Sequence, residues 1–234
     1  FPQDDGEYLV EGDTSSASYF VGADLLASIA HGALEARRSG AAGAGIPPLG
    51  RYVAVSNWPS SGWQFDERFH DFCAAALRGD VPTEVSRTTD LGDSIMTAIV
   101  LGAESDAAWP SREALDAFRP EFRFADLGRL RVQECERVAA LKTELLKCGA
   151  RVVEEGDTLK IAPSILHGAE IETYHDHRMA MCFATLGLKV GGLKIKNPAC
   201  VRKTFPNFFQ KLAAPSPQGL GATIRDAATG RVLT

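Results

Sequence analysis

Two acidic side chains are candidates for proton transfer. Asp93 and Glu134 each stand where an apolar-periodic, helix-like run begins. Two carboxylates placed at helix starts can serve as general base and general acid when burial or a neighbouring cation separates their pKa values. The structural alternatives are a helix N-cap for Asp93 and an exposed ion pair between Glu134 and Arg137 on one turn of a helix.

Three basic side chains are candidates for binding an anion. Arg137, Arg178 and Lys203 lie one near each of three predicted helix starts. Arginine offers a bidentate fork to a carboxylate or phosphate, and lysine acts as a mobile point charge. A doubly anionic small molecule is the ligand that suits this set. The alternative is that each cation is solvated at the surface, as most lysines and arginines are.

The tract His175-Asp176-His177 is superficially similar to a metal site. Two histidines at this spacing lie on one face of a strand, but no third ligand follows at a usual spacing. The chain also lacks a G-x-S-x-G motif, and its cysteines and histidines show no spacing typical of a nucleophilic pair. We therefore predict neither a metal site nor a covalent nucleophile.

The elements that must position these residues follow from apolar periodicity and turn residues. We predict helices over residues 16–37, 65–77, 93–103, 131–149, 177–188 and 205–212. We predict strands over residues 8–11, 51–55, 122–127, 151–154, 158–161, 170–174 and 192–196. Helices and strands therefore alternate along the chain, which is typical of an α/β protein.

The order of strand and helix recurs about three times, with units that start near residues 8, 90 and 170. The first helix of each unit begins with an Asp, at Asp13, Asp93 and Asp176. If the units surround a pseudo-threefold axis, several helix N-termini converge at one end of the domain. Their unpaired N–H groups and positive dipole ends then form an anion site.

The amino-acid composition argues against two classes of binding partner, nucleic acids and membranes. The chain has 234 residues, of which 45% are hydrophobic, and a formal net charge of −5. Because no run of Lys or Arg exceeds a pair and no apolar run is long enough to span a bilayer, we predict binding to neither nucleic acid nor membranes. Five scattered cysteines favour a reducing, cytoplasmic location. The start at Phe1 suggests a piece of a longer polypeptide.

Four motifs, in order along the chain, resemble the signatures of the 5-enolpyruvylshikimate-3-phosphate synthase family. They are residues 8–20 (YLVEGDTSSASYF), 131–137 (RVQECER), 174–183 (YHDHRMAMCF) and 203–206 (KTFP). The resemblance implies an α/β (α+β) fold, an inside-out α/β barrel of β-α-β-α-β-β repeats about a pseudo-threefold axis. We predict a C-terminal enolpyruvyl transferase domain over residues 1–213, with an insertion at about 104–120. Residues 214–234 then form a linker, a tail or the start of a further module.

The resemblance also implies a reaction and roles in it. Family enzymes transfer the enolpyruvyl group of phosphoenolpyruvate to the 5-hydroxyl of shikimate 3-phosphate and release phosphate, without a metal or an organic cofactor. Asp93 resembles the base near the shikimate hydroxyl, and Glu134 resembles the acid/base at the phosphoenolpyruvate methylene. Arg137, Arg178 and Lys203 match the cations that hold phosphoenolpyruvate.

Two positions depart from the family pattern on the shikimate-phosphate side. Gln133 stands where the family usually has Lys, and Arg129 stands where Asn is usual. Family members also have two such domains with the active site between them, so the N-terminal domain of the same enzyme is the predicted partner. The isolated chain is predicted to be inactive. The alternatives are a UDP-N-acetylglucosamine enolpyruvyl transferase and a non-catalytic domain that binds an anion or a partner.

Overall fold

The computed structural model describes residues 10–39, 46–80, 82–104 and 121–233. Residues 8 and 9 of the first predicted strand and residues 105–120 of the predicted insertion lie outside these ranges. Residues 10 and 11, the rest of that first strand, are not in a strand. No helix among the described residues is long and apolar enough to cross a bilayer.

The described residues form six helices and six strands. The helices are α1 (Thr14–Ser39), α2 (Phe69–Arg78), α3 (Ile95–Gly102), α4 (Arg137–Lys147), α5 (His177–Leu186) and α6 (Phe208–Ala213). The strands are β1 (Glu84–Ser86), β2 (Phe122–Ala125), β3 (Arg151–Glu155), β4 (Thr158–Ala162), β5 (Glu170–Ile171) and β6 (Lys194–Ile195). Short 3₁₀ or π turns cover Phe65–Arg68, Arg87–Leu91, Gly92–Ser94, Leu127–Val132 and Pro198–Lys203.

The strands form two sheets, and the fold is a mixture of helix and sheet. The larger sheet has the order β1-β2-β4-β3, with β1 parallel to β2 and the other pairs antiparallel. The smaller sheet pairs β5 with β6 in parallel. In the larger sheet, the register places Phe124 opposite both Val85 and Leu159, and all three side chains are buried. No closed barrel is formed by the part of the chain that the structure describes.

Helices occupy the core. Ile95, Met96 and Ile99 of α3 are fully buried, and α3 contacts α1, α4 and α5. The apolar periodicity of α4 is confirmed, since Val138 and Leu141 on its inner face are completely buried. Burial of each such side chain stabilises the fold by about 1.5–3 kcal/mol. Helices that are enclosed in this way have their first turns held in fixed positions.

The middle unit has the complete order β1-α3-β2-α4-β3-β4, and the last unit has β5-α5-β6-α6. The predicted hairpin over residues 151–161 is therefore confirmed as β3 and β4, and the predicted helices of both units are present. Strand β1 was not predicted, because three residues are too few to show a period of two. Several predicted elements are shorter than expected: β5 ends at Ile171, α5 ends at Leu186 and α6 begins at Phe208.

The predicted strand over residues 51–55 is wrong. Asp24 of α1 is buried, and its carboxylate accepts hydrogen bonds from the backbone N–H groups of Gly50, Tyr52 and Val53 at 2.5–2.8 Å. Two of these N–H groups belong to the predicted strand and are therefore not available to a neighbouring strand. The carboxylate comes from a helix more than 20 residues earlier, so no local pattern signals it.

The predicted start of the helix over residues 131–149 is also wrong. Arg131 lies in a 3₁₀ turn, and α4 begins at Arg137, where the Glu136 carboxylate caps the N–H of Ala139 at 2.6 Å. Arg131 instead binds the β3–β4 hairpin, with Nη2 2.8 Å from Glu154 Oε1. Glu134 and Arg137 therefore do not share a helical turn, and the expected ion pair between them is replaced by other partners.

Candidate active site

The first turns of α1 and α5 touch each other. Asp13 caps α1 by accepting from the N–H groups of Ser15 and Ser16 at 3.0 and 3.2 Å. Asp176 caps α5 by accepting from the Arg178 N–H at 2.8 Å. The Arg178 guanidinium then donates through Nη2 to Ser15 Oγ at 3.0 Å. Both predicted caps are confirmed, and the predicted convergence of helix starts is present for these two helices.

Asp13, Ser15, Asp176 and Arg178 thus form a cluster at these helix starts. Asp93 joins the cluster from the turn that precedes α3. Its Oδ1 accepts from Arg87 Nη2 at 2.6 Å, and its Oδ2 lies 3.3 Å from Arg178 Nη2. The expectation that Asp93 is an N-cap is wrong. It lies inside the turn Gly92–Ser94, and Asp66 accepts the Ser94 N–H instead. The Asp93 carboxylate is thereby left to two guanidinium groups.

Gln64 and Asp66 are site-forming residues that the sequence analysis did not assign. The Gln64 side-chain oxygen accepts from the Thr14 N–H at 3.1 Å, which ties the turn before α2 to the start of α1. Burial raises the pKa of the Asp66 carboxyl, and the Asp93 charge adds to that rise. Arg87 was also missed, since the three-residue strand before it gave no periodic signal that would place its side chain.

Arg137 and Asp176 form a buried ion pair between the starts of α4 and α5. Arg137 is 2% exposed and Asp176 is 0% exposed. Arg137 Nε donates to Asp176 Oδ2 at 2.6 Å, and Nη2 lies 3.3 Å from Oδ1. The third donor, Nη1, binds the side-chain oxygen of Gln133. Because a guanidinium has five N–H groups, two of them are left without a partner among the described residues.

Glu134 and Lys203 form an exposed ion pair at the rim of the cluster, with a direct hydrogen bond from Nζ to Oε1. The two residues come from the loop before α4 and from the end of the turn Pro198–Lys203. The structure therefore brings together five sequence-predicted residues as three groups: Asp93 with Arg178, Arg137 with Asp176 and Gln133, and Glu134 with Lys203.

Gln133 and Arg129 differ in their placement. Gln133 lies against Arg137 and so belongs to the cluster. Arg129 is exposed in the turn Leu127–Val132, and it makes no ion pair or hydrogen bond with another residue in the ranges that the structure covers. Of the two positions that differ from the family pattern, Gln133 therefore contacts the cluster and Arg129 does not.

Electrostatics keep the candidate catalytic carboxylates ionised. Burial acts to raise the pKa of Asp93, but the attraction of Arg178 and the hydrogen bond from Arg87 outweigh it and lower that pKa. The hydrogen bond from Lys203 lowers the pKa of Glu134. Both groups are therefore bases in the unliganded chain. An anion that draws Arg178 or Lys203 away removes the interaction that lowers each pKa, so ligand binding itself makes these carboxylates more ready to accept a proton.

The three residues of the His-Asp-His tract differ in their contacts. His175 is exposed, with Nδ1 3.0 Å from Asn197 Nδ2, and Asp176 binds Arg137. His177 is buried, and its Nδ1 has no hydrogen-bond partner. Within the described ranges, no group of three or more His, Cys, Asp or Glu side chains is arranged to hold a metal ion.

The burial of His177 has a consequence for stability. Burial lowers the pKa of His177 below its ordinary value of 6.5. The unfolded chain therefore takes up a proton below about pH 6.5 that the folded chain resists, and the free energy of unfolding falls as the pH drops from about 7 to about 5. Urea unfolding at the two pH values measures this fall.

The variant His177→Gln removes the buried imidazole, so its fall in stability between the two pH values is expected to be smaller than that of the unmodified chain. His70→Gln is the control, because the His70 side chain is 47% exposed. Equal falls in the unmodified chain and in His177→Gln would contradict the assignment.

The site is distinct from a groove of about 1520 Å³ elsewhere in the molecule. That groove lies beside the C-terminal half of α5 and the segment 216–233, and none of the predicted site residues lines it. The cluster at the helix starts instead balances four cations with carboxylates, and of these cations Arg87, Arg137 and Arg178 are largely buried and Lys203 is exposed.

These features define an α/β domain that gathers paired cations and carboxylates at the starts of its helices. The family model described as EPSP synthase (3-phosphoshikimate 1-carboxyvinyltransferase) matches residues 89–212, which is more than half of the chain. The chain belongs to the EPSP synthase family.

Two curated relatives carry the enzyme name given in that family description. A 3-phosphoshikimate 1-carboxyvinyltransferase of Sodalis glossinidius is 38% identical over 217 residues, which cover 90% of this chain and 44% of the relative. The enzyme of the same name from Blochmanniella pennsylvanica is 35% identical, with 92% and 45% covered. An EPSP synthase structure from Acinetobacter baumannii is 26% identical with a TM-score of 0.44, over 55% of this chain and 27% of that one. The chain thus spans about half the length of the curated relatives it matches.

Proposed function

We propose that this chain is the C-terminal domain of a 3-phosphoshikimate 1-carboxyvinyltransferase and supplies one half of its active site. The observation that carries the proposal is the meeting of Arg178, Asp93 and the Glu134–Lys203 pair at helix starts in a member of this family. The substrates are phosphoenolpyruvate and shikimate 3-phosphate, and the second half of the site is an N-terminal domain. The five free thiols suit a reducing compartment, and we place the enzyme in the cytoplasm.

The proposed fold and domain limits follow the repeats. The complete middle unit and the partial last unit support an inside-out barrel of β-α-β-α-β-β units about a pseudo-threefold axis. Residues 1–213 form this domain, and 214–234 form a tail. The tail is held to α6 by backbone hydrogen bonds from Leu220 to Lys211 and from Ala222 to Leu212, at 3.1 and 2.8 Å.

In the proposed reaction, the substrate anion displaces the carboxylates that occupy the cations in the unliganded chain. The Lys203 side chain is 61% exposed and can turn towards phosphoenolpyruvate, whereas the Arg178 side chain is 15% exposed and is held beside Ser15 and Asp93. Arg137 contributes its charge and its two unpaired N–H groups from a buried position. Once they contact the substrate, these cations stabilise negative charge as the tetrahedral centre forms.

Protons move at the two carboxylates. The 5-hydroxyl oxygen adds to C2 of phosphoenolpyruvate while Asp93 takes the hydroxyl proton, and Glu134 delivers a proton to the C3 methylene. The bond between C2 and the phosphate oxygen then breaks, and the departing phosphate takes the proton held by Asp93. Glu134 removes a proton from the new methyl group, which restores the double bond. Release of Lys203 to the substrate lets Glu134 hold the proton that the first step requires.

In this proposal, Gln133 and Arg129 bind the phosphate group of shikimate 3-phosphate. The Gln133 oxygen is occupied by Arg137, so its amide N–H₂ is the group that can donate to a phosphate. Arg129 offers an exposed guanidinium. Together they can replace the cationic and amide groups that the family usually has at these positions.

The isolated chain is expected to be inactive, because half of the residues that surround the substrates belong to another domain. The test is to mix the purified chain with both substrates and measure released phosphate. We expect no release above the background rate. Turnover by the chain alone at an ordinary enzymatic rate of about 1 s⁻¹ or more would contradict the proposal that it is half of a site.

A further inference from the structure

Two consecutive residues before α5 have left-handed backbone conformations. Tyr174 has φ 54° and His175 has φ 57°, although neither is glycine. A bulky residue in this region is a conformational outlier, and such outliers persist only when the surrounding structure fixes them. The next residues are Asp176, His177 and Arg178, which begin α5 and carry the ion pairs of the site. The conformation of this turn therefore determines where those side chains point.

Helix α4 holds the turn through a buried carboxylate that the proposed reaction does not use. Glu144 is 0% exposed, and its Oε1 accepts from the Tyr174 hydroxyl at 2.7 Å. Its Oε2 accepts from the backbone N–H of Glu172 at 3.1 Å, and Lys147 neutralises the charge at 2.8 Å. A buried carboxylate is costly unless it is hydrogen-bonded and paired, and every contact here goes to the turn or to the neutralising lysine.

The same face of α4 contacts the turn at a second point. Arg137 lies seven residues before Glu144, so the two side chains lie two helical turns apart on one face. Arg137 binds Asp176, and Glu144 binds Tyr174 and Glu172. Residues 172–176 are thus attached to α4 at both ends.

We propose that Glu144 and Tyr174 are positioning residues, which hold residues 174 and 175 in the left-handed conformation and so fix Asp176 and Arg178 in the anion site. Neither residue is assigned contact with a substrate. That Asp176 and Arg178 belong to an anion site rests on the proposed function. That Glu144 and Tyr174 hold the backbone of residues 174 and 175 does not depend on it.

Hydrogen exchange on the unliganded chain tests the control of the turn. Tyr174→Phe removes only the hydroxyl that binds Glu144. We expect amide exchange at Asp176 and Arg178, whose N–H groups bind Thr173 O and Asp176 Oδ1, to become about tenfold faster. Exchange in the β3–β4 hairpin is expected to stay unchanged. No change at Asp176 and Arg178, or an equal increase in the hairpin, would overturn the proposal.

Two further variants isolate the backbone conformation, because His175 is exposed and its replacement leaves the core intact. His175→Gly and His175→Val both lose the contact with Asn197. Glycine adopts a positive φ freely, but a β-branched residue does not. We expect His175→Val alone to speed exchange at Arg178, and equal exchange in the two variants would overturn the proposal. Tyr52→Phe, at a tyrosine that is 44% exposed, is the control for loss of a hydroxyl.

Titration with phosphoenolpyruvate separates this inference from the proposed function. If the unmodified chain binds phosphoenolpyruvate, Tyr174→Phe and His175→Val are expected to weaken binding about tenfold, with His175→Gly and Tyr52→Phe close to the unmodified chain. Unchanged affinity in Tyr174→Phe would overturn the positioning role. If a two-domain protein that joins this chain to the part of the Sodalis glossinidius relative it does not cover binds no phosphoenolpyruvate, while exchange still responds as expected, the proposed function fails and the control of the turn stands.

Discussion

Asp176→Asn is expected to lower the free energy of unfolding by about 3–5 kcal/mol, because it leaves the Arg137 guanidinium buried without its counter-charge. The two side chains are 0% and 3% exposed, and water cannot replace the lost carboxylate. Asparagine is as good an N-cap as aspartate, so the cap on the Arg178 N–H is retained. The change therefore isolates the charge, and urea unfolding at pH 7 measures its effect.

Two further variants test whether the loss of stability in Asp176→Asn comes from the unpaired charge of Arg137. Asp13→Asn alters the cap of α1, which is exposed, and is expected to cost less than about 1 kcal/mol. Arg137→Met combined with Asp176→Asn is expected to cost less than the sum of the single changes, since no buried charge remains. A loss below about 1 kcal/mol in Asp176→Asn, or strict additivity, would show that the pair does not hold α4 and α5 together.

The effect of Asp176→Asn also depends on pH in a defined direction. Burial acts to raise the pKa of Asp176, but the hydrogen bond and charge of Arg137 lower it below the ordinary value of 3.8. The stability that this lowering contributes is complete above about pH 4 and is lost as the pH falls through the depressed pKa. The difference between the unmodified chain and the variant should therefore shrink only in acid.

Glu134→Gln is expected to lower turnover by about 10²–10⁴-fold in a two-domain protein, while the affinity for phosphoenolpyruvate changes little. The protein for this test joins this chain to the part of the Sodalis glossinidius relative that it does not cover. Glutamine keeps the shape of the side chain but cannot carry a proton to the methylene carbon. The rate of phosphate release and the dissociation constant of phosphoenolpyruvate, measured on the same preparation, give the two numbers.

Glu136→Gln is the matched control, because Glu136 is an exposed carboxylate two residues away and binds Arg131 rather than Lys203. Its turnover should be close to that of the unmodified fusion. A non-catalytic, anion-binding domain would give a different result, with no turnover in any variant and unchanged ligand affinity in Glu134→Gln. Equal turnover in Glu134→Gln and in the unmodified fusion would remove Glu134 from the chemistry.

Sequence patterns correctly predicted the helices and strands that depend on residues close together in the sequence. The hairpin of β3 and β4 follows from alternating residues around a Glu-Gly-Asp turn, and α1 follows from a long apolar stripe behind the Asp13 cap. The pattern failed at residues 131–136, where charges at helical spacing lie in irregular turns and Val132 is 81% exposed. It also failed at residues 51–55, because Asp24 binds their N–H groups from a distant helix.

The sequence predicted which residues belong to the candidate site, but it did not predict which of them contact each other. Residue type and predicted position at helix starts identified Asp93, Glu134, Arg178 and Lys203, and the structure pairs Asp93 with Arg178 and Glu134 with Lys203. The partnership of Glu134 with Lys203 joins residues 69 positions apart, so no spacing rule reveals it. The roles of Asp66 and Glu144 depend on burial, which sequence periodicity alone does not assign to a charged residue.

The fusion with the uncovered part of the Sodalis glossinidius relative tests the central claim most directly, through the rate of phosphate release from phosphoenolpyruvate and shikimate 3-phosphate. We predict that this chain alone releases none, that the fusion turns over at about 1 s⁻¹ or more, and that the rate collapses with Glu134→Gln. A fusion that is folded and binds phosphoenolpyruvate but releases no phosphate, under conditions in which the intact relative is active, would contradict the claim that this chain completes the active site.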